Sequence, residues 1–77
     1  MSCQLLHRID PDHNMARYYR VEMLPDLFGD VTVERCWGRI GRRGRFRVMS
    51  FPTSPLAEAA AAKLIRAKVR RGYVGVT

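Results

Sequence analysis

Seventy-seven residues with a hydrophobic fraction of 47% suit one small folded domain, expected over residues 1–77, and argue against a disordered chain. Fourteen Lys plus Arg against seven Asp plus Glu leave +7, and twelve of the fourteen bases are arginine, the residue suited to bidentate and stacked contacts. Cys3 and Cys36 make neither a disulfide framework nor a metal-ligand spacing, and the longest apolar run, Ala59 to Ala62, is far too short to cross a bilayer. Met1 to His7 lacks the long apolar stretch of a signal peptide before charge appears at Arg8. The expectation is a soluble cytoplasmic protein with reduced thiols and no membrane partner, compatible with association with the nucleoid.

Leu5 to Ile9 reads as a first strand, with Leu5, His7 and Ile9 on one face, and Asp10-Pro11-Asp12-His13-Asn14 supplies turn chemistry. Arg17 to Leu24 is rich in β-formers and sorts Tyr19, Val21 and Met23 from Tyr18, Arg20 and Glu22, so at least one of the two tyrosines belongs to a core. A turn over Pro25 to Asp30 leads to a third strand, Val31 to Ile40, whose alternation separates Arg35, Trp37 and Arg39 from Cys36, Gly38 and Ile40. Arg45 to Phe51 forms a fourth, with Arg45, Arg47 and Met49 opposite Phe46 and Val48, and Gly41 and Gly44 loosen the hairpin between.

Ser54-Pro55 reads as an N-cap followed by proline at the first helical position, opening a helix that runs to about Arg71. Leu56, Ala57, Ala60, Ala61 and Leu64 share one arc, which Lys68 and Arg71 interrupt only in the last turn. Gly72 is a natural residue to follow the helix, and Tyr73 to Val76 suits a short final strand. The order of elements predicts an α+β fold of four to five strands and one C-terminal helix.

Register bears on function. An odd-length loop, with residue 39 opposite 45 and 37 opposite 47, sets Trp37, Arg39, Arg45 and Arg47 on one face, expected to be open to solvent with the helix on the other. Gly38 would then let the alanine-rich helix approach closely. Six of the twelve arginines lie between Arg35 and Arg47, around the single tryptophan. Planar cations beside a flat ring suit phosphates and nucleotides together, although an ordinary core tryptophan and a solvated basic surface are the plain structural alternatives.

Trp37-Gly38-Arg39 followed by Ile40-Gly41 resembles the WGR domain, found beside the catalytic region of DNA-dependent poly(ADP-ribose) polymerases and in short bacterial proteins. Asn14-Met15-Ala16-Arg17-Tyr18-Tyr19 is similar to the family's Asn…Lys-Tyr-Tyr segment, and the strand Arg20 to Leu24, the glycine turn and the closing helix follow in the family's order. The resemblance, over roughly residues 5 to 75, implies a small antiparallel sheet with the helix packed across one face. It also implies binding to broken DNA ends, with Trp37 against a terminal sugar, Arg39 as the motif arginine, and Asn14 and Arg17 at the upstream polar positions. Arg17 stands where lysine is frequent, which keeps the charge and changes the geometry. In those enzymes the motif arginine also contacts neighbouring domains to relay DNA binding; this sequence carries neither the polymerase catalytic domain nor a partner domain, so that role is not carried over.

His7 and His13 have no constellation for a metal, and neither Ser50 nor Ser54 has a base partner or nucleophile elbow. No catalytic site, metal or cofactor is expected. The reading is a non-catalytic nucleic-acid-binding module, directed at DNA and its ends or nicks, with Trp37, Arg39, Asn14, Arg17, Arg35, Arg42, Arg43, Arg45 and Arg47 as its binding residues. The rival is a protein-interaction module whose arginine face docks an acidic partner. Nothing in the pattern sets the oligomeric state.

Overall fold

The computed structural model describes residues 3–76; the expected domain limits Met1 and Thr77, together with Ser2, lie outside the described residues. The strands are β1 (Cys3–Asp10), β2 (Met15–Pro25), β3 (Val31–Arg39) and β4 (Arg45–Phe51), followed by α1 (Ser54–Arg70) and β5 (Val74–Gly75). They form one antiparallel five-stranded sheet in the order β4-β3-β2-β1-β5, so four strands meander and the last returns beside the first. The α+β architecture with one helix across the sheet is as expected from the sequence.

Alternation accounts for the core. Leu6, Tyr19, Val21, Met23, Val31 and Val33 point to one face of the sheet, where Ala57 and Ala61 of α1 and Tyr73 close over them. Alanine at both helix positions brings the helix backbone near the sheet, and Ala57 is fully buried. Tyr19 is the core tyrosine of the pair, meeting Tyr73 edge to face at 6.4 Å between centroids. The helix is capped by Thr53, whose hydroxyl accepts from the Leu56 N–H at 3.4 Å, rather than by Ser54. Either residue fits the cap chemistry, and the backbone turns one residue earlier than expected.

Three expectations about the sheet are corrected. The register of β3 with β4 pairs Trp37 with Arg45 and Arg35 with Arg47, two residues from the expected pairing. A slip of two preserves the side-chain period, so Trp37, Arg39, Arg45 and Arg47 do share a face. That face is, however, the one the helix occupies: Val31 and Val33 lie on it, at the apolar end of the same alternation, and draw α1 there. Phe46 and Val48, on the other side, are consequently 66% and 50% exposed rather than buried.

Gly38 serves a different contact from the one anticipated. A Cβ there would lie 2.8 Å from the Gly44 Cα and 3.4 Å from the Tyr18 ring, on the face away from the helix. A Cβ at Gly44 would collide with the Trp37 carbonyl and the Tyr18 hydroxyl. The two glycines therefore let the hairpin backbone cross closely beneath Tyr18.

The strand charges are sorted by side. Arg8, Arg17, Arg35, Arg39, Arg45 and Arg47 share the helix face with one carboxylate, Asp10 at the end of β1, whereas the uncovered face carries Arg20 with Glu22 and Glu34. Arg20 donates to the Cys36 thiol at 3.3 Å and lies 4.0 Å from Glu34. The neighbouring sulfur, which accepts this bond, holds the Arg20 guanidinium above its ordinary range. At the far turn, Asp26 accepts from the N–H groups of Phe28 and Asp30 at 2.8 and 2.9 Å.

Candidate functional site

The helix face changes character along the strands. Val31 and Phe51 pair at one end, Met23, Val33 and Met49 follow, then Val21 with Arg35 and Arg47, then Leu6, Tyr19, Trp37 and Arg45, then Arg8, Arg17 and Arg39, and finally Asp10 with Met15. Helix α1 starts three residues after Phe51 and ends at Arg70, and Gly72, two residues beyond it, lies next to the Arg8 side chain. Its path leaves the Trp37 corner of the sheet partly open. Between the two lies a groove of about 390 Å³. Tyr19, Arg35, Trp37 and Arg47 form its sheet wall. Leu64, Ala67 and Lys68, with Arg71 just beyond the helix, form the other.

Trp37 is half-buried and packs against the margin of the core. The open stacking platform expected for it is therefore replaced by a groove with a helical wall. The Arg35 guanidinium lies over the indole, 5.7 Å from the ring centroid. Its Nε is buried without a hydrogen-bond partner, a donor that folding has stripped of water and left unsatisfied. Lys68 sits over the rings of Tyr19 and Tyr73 at 4.9 and 5.5 Å. Burial, and then the like charges of Arg71, Arg35 and Arg17, hold its ammonium below the ordinary lysine range. No residue lining the groove is acidic, so its four cations face one another uncompensated.

The motif arginine belongs to a second cluster. Arg39 donates to the Asn14 carbonyl at 3.2 Å and to its side-chain oxygen at 3.4 Å. Asn14 adopts the left-handed conformation, φ 50°, which asparagine tolerates better than most residues and which ends the 3-10 turn Pro11–His13. The Ile40 N–H donates to the Ala16 carbonyl at 2.9 Å, tying the upstream segment to the end of β3. Arg17 stands directly opposite Arg39 in the sheet. Arg42 and Arg43 are exposed at the hairpin tip, where Gly41 takes φ +84°, and Arg45 and Arg47 are exposed along the edge strand.

The structure thus brings Trp37, Arg35 and Arg47 together in the groove and joins Asn14 to Arg39, with Arg17 opposite Arg39, Arg45 beside Trp37 on the edge strand, and Arg42 and Arg43 apart at the hairpin tip. Sequence reasoning missed Tyr19, Lys68 and Arg71 as site residues. The signal was present: positions 57, 61, 64 and 68 continue one helical stripe, so Lys68 is a cation at a core-facing position. Among the described residues no group of three or more His, Cys, Asp or Glu could hold a metal, and no helix is long and apolar enough to cross a membrane.

An uncharacterized protein of Sinorhizobium fredii, y4dW, is 44% identical to this chain over 68 residues, covering 88% of the chain. The chain spans about a third of that relative's length, 33%. A crystal structure of a Bacteroides fragilis protein superposes with a TM-score of 0.82 over 99% of the chain and 20% of its own length, and at 24% identity it attests the fold alone. The model of the WGR domain matches residues 2–77. With that match across nearly every position and the Trp37-Gly38-Arg39 motif at the mouth of the groove, the chain belongs to the WGR domain family.

Proposed function

We propose that this chain is a non-catalytic nucleic-acid-binding module that takes DNA, and ends or nicks in particular, through the groove at Trp37 and its arginine rim. The observation that carries the reading is the sorting of charge: six strand arginines on the side that also bears the sole tryptophan, with no acidic residue lining the groove. Rim arginines supply attachment to the phosphate backbone, which is strong at low salt and indifferent to sequence. Trp37 supplies the preference. A ring set between sheet and helix accepts a terminal or unpaired nucleotide more readily than the side of an intact duplex.

Arg39 is oriented before any ligand arrives, since two of its N–H groups already bond Asn14. The remaining donors of its fork are aimed without further loss of side-chain freedom. An acidic protein would use the same arginines, but it gives Trp37 no reason to prefer an end.

The test compares intact, nicked, blunt-ended and single-stranded oligonucleotides over a salt series, beside an acidic protein control. Tighter binding to nicked or open DNA, with log affinity falling by about 0.9 per neutralised phosphate against log salt, is the expected result. Affinity for the acidic control equal to that for DNA, or binding indifferent to salt, overturns it.

A further inference from the structure

We propose that the groove between α1 and the sheet is also a binding site for a free nucleoside di- or triphosphate, with its phosphates on Arg35, Arg47, Lys68 and Arg71 and its ring system against Trp37. The groove alone supports this site, whether or not the chain binds nucleic acid.

Size comes first. A volume of about 390 Å³ falls within the range of small-molecule pockets, roughly 300–1,000 Å³. Charge comes second. Four cations line this space with no carboxylate among them; Glu22 and Glu34 lie on the other face of the sheet, and Asp10, on the helix face at the end of β1, is not among the residues that line the groove. Such an arrangement raises the energy of the empty protein and is relieved by an anion. One phosphomonoester brings roughly two negative charges, which leaves half of the cluster uncompensated. A di- or triphosphate comes closer to matching it.

Geometry supplies the rest. The Arg35 Nε is a donor already removed from water and lacking an acceptor, so a phosphate oxygen that reaches it regains a bond at little desolvation cost. Lys68 is depressed by burial and by three arginines, and a polyphosphate beside it reverses the like-charge part of that effect. Inorganic phosphate would satisfy the cations and ignore the walls. The indole of Trp37, together with Leu64 and Ala67, gives the groove an apolar side that a planar ring fills.

Trp37 is the only tryptophan, so its fluorescence reports on this groove alone. The full 77-residue chain is titrated with ADP, ATP, adenosine and pyrophosphate. Saturable quenching by ADP and ATP is expected, with adenosine at least tenfold weaker for want of phosphates and pyrophosphate tenfold weaker for want of a ring, about 1.4 kcal/mol each. Lys68→Gln and Arg71→Gln should each weaken ADP about tenfold. Arg71 is exposed and follows the helix, so that variant keeps the fold, and circular dichroism verifies both.

Pyrophosphate as tight as ADP overturns the ring contact, and ADP affinity unmoved in both variants overturns the location. No saturable binding overturns the proposal. A terminal phosphate on a DNA strand is distinguished by measuring an end-bearing oligonucleotide separately: DNA binding without ADP binding refutes this inference and spares the nucleic-acid reading, while ADP binding without DNA binding does the reverse.

Discussion

Replacing Gly44 by alanine should damage this protein more than its surface position suggests. The added Cβ would be driven into the Trp37 carbonyl and the Tyr18 hydroxyl, one of them backbone and neither able to withdraw freely. Overpacking of this kind costs about 1–3 kcal/mol, and a clash against backbone belongs at the upper end. At about 0.05–0.15 kcal/mol per residue, a 77-residue domain holds roughly 4–12 kcal/mol in all. A loss of about 3 kcal/mol is then a large share, lowering Tm by roughly 12–24 °C at about 4–8 °C per kcal/mol. Gly41→Ala is the control: its φ of +84° strains an alanine, but nothing lies within 4 Å of the added carbon, so about 1–2 kcal/mol is expected. Thermal unfolding followed by circular dichroism measures both, and native-state Trp37 emission tells them apart, since only Gly44→Ala should displace the indole. A Gly44→Ala protein that melts with Gly41→Ala and keeps the wild-type emission would refute the close crossing.

Other outcomes follow from the same geometry. Trp37→Ala, checked for folding, should cost about 1–3 kcal/mol on DNA with an accessible terminus and much less on closed circular duplex, and equal losses on both would remove the end preference. Charge-neutral glutamines at both Arg42 and Arg43 should shallow the salt slope by about 0.9 for each phosphate no longer neutralised while leaving the preference for ends, as filter binding over a salt series can establish. Asn14→Ala should weaken DNA binding by removing one of the two bonds that orient Arg39, leaving only that to the backbone carbonyl, and by straining the backbone at φ 50°, whereas Asn14→Gly should relieve the strain and not restore binding. Lys68 is a base whose folded pKa is lowered, so its charged form opposes folding below that value and the penalty fades as pH rises through it towards 10.5. Wild type should therefore gain stability relative to Lys68→Met over that alkaline window; a flat difference refutes the assignment.

Much of the fold is legible because β-alternation and helical period do not depend on distant partners. Tyr19, Val21 and Met23 declare one face of β2, and Ala57, Ala61 and Leu64 declare one stripe of α1. What the pattern does not supply is which of two faces the helix chooses near Trp37. The third strand is apolar at Val31 and Val33 and basic at Arg35 and Arg39 on one and the same side, so a reading centred on the motif looks exposed and a reading centred on the strand's start looks buried. The helix answers to the start. Register is similarly half legible: parity follows from alternation, but the choice between pairings two residues apart rests on how closely Gly38 and Gly44 can approach, a meeting across the hairpin that no spacing reveals. Lys68 reads in sequence as a spoiled end of the apolar stripe, whereas in the fold it is the cation that closes the groove.

The sorting of charge between the two faces of the sheet has a kinetic consequence. With six arginines against Asp10 on the helix side of the strands, and Glu22 and Glu34 against Arg20 on the other, the domain carries an electrical axis perpendicular to its strands. Near a polyanion such a body feels a torque as well as a pull, and it turns before it touches. Fewer collisions are spent on the wrong face, so association quickens without any change in the complex finally formed. Salt within a Debye length of about 8–10 Å should erase this advantage first, slowing capture well before it loosens the bound state.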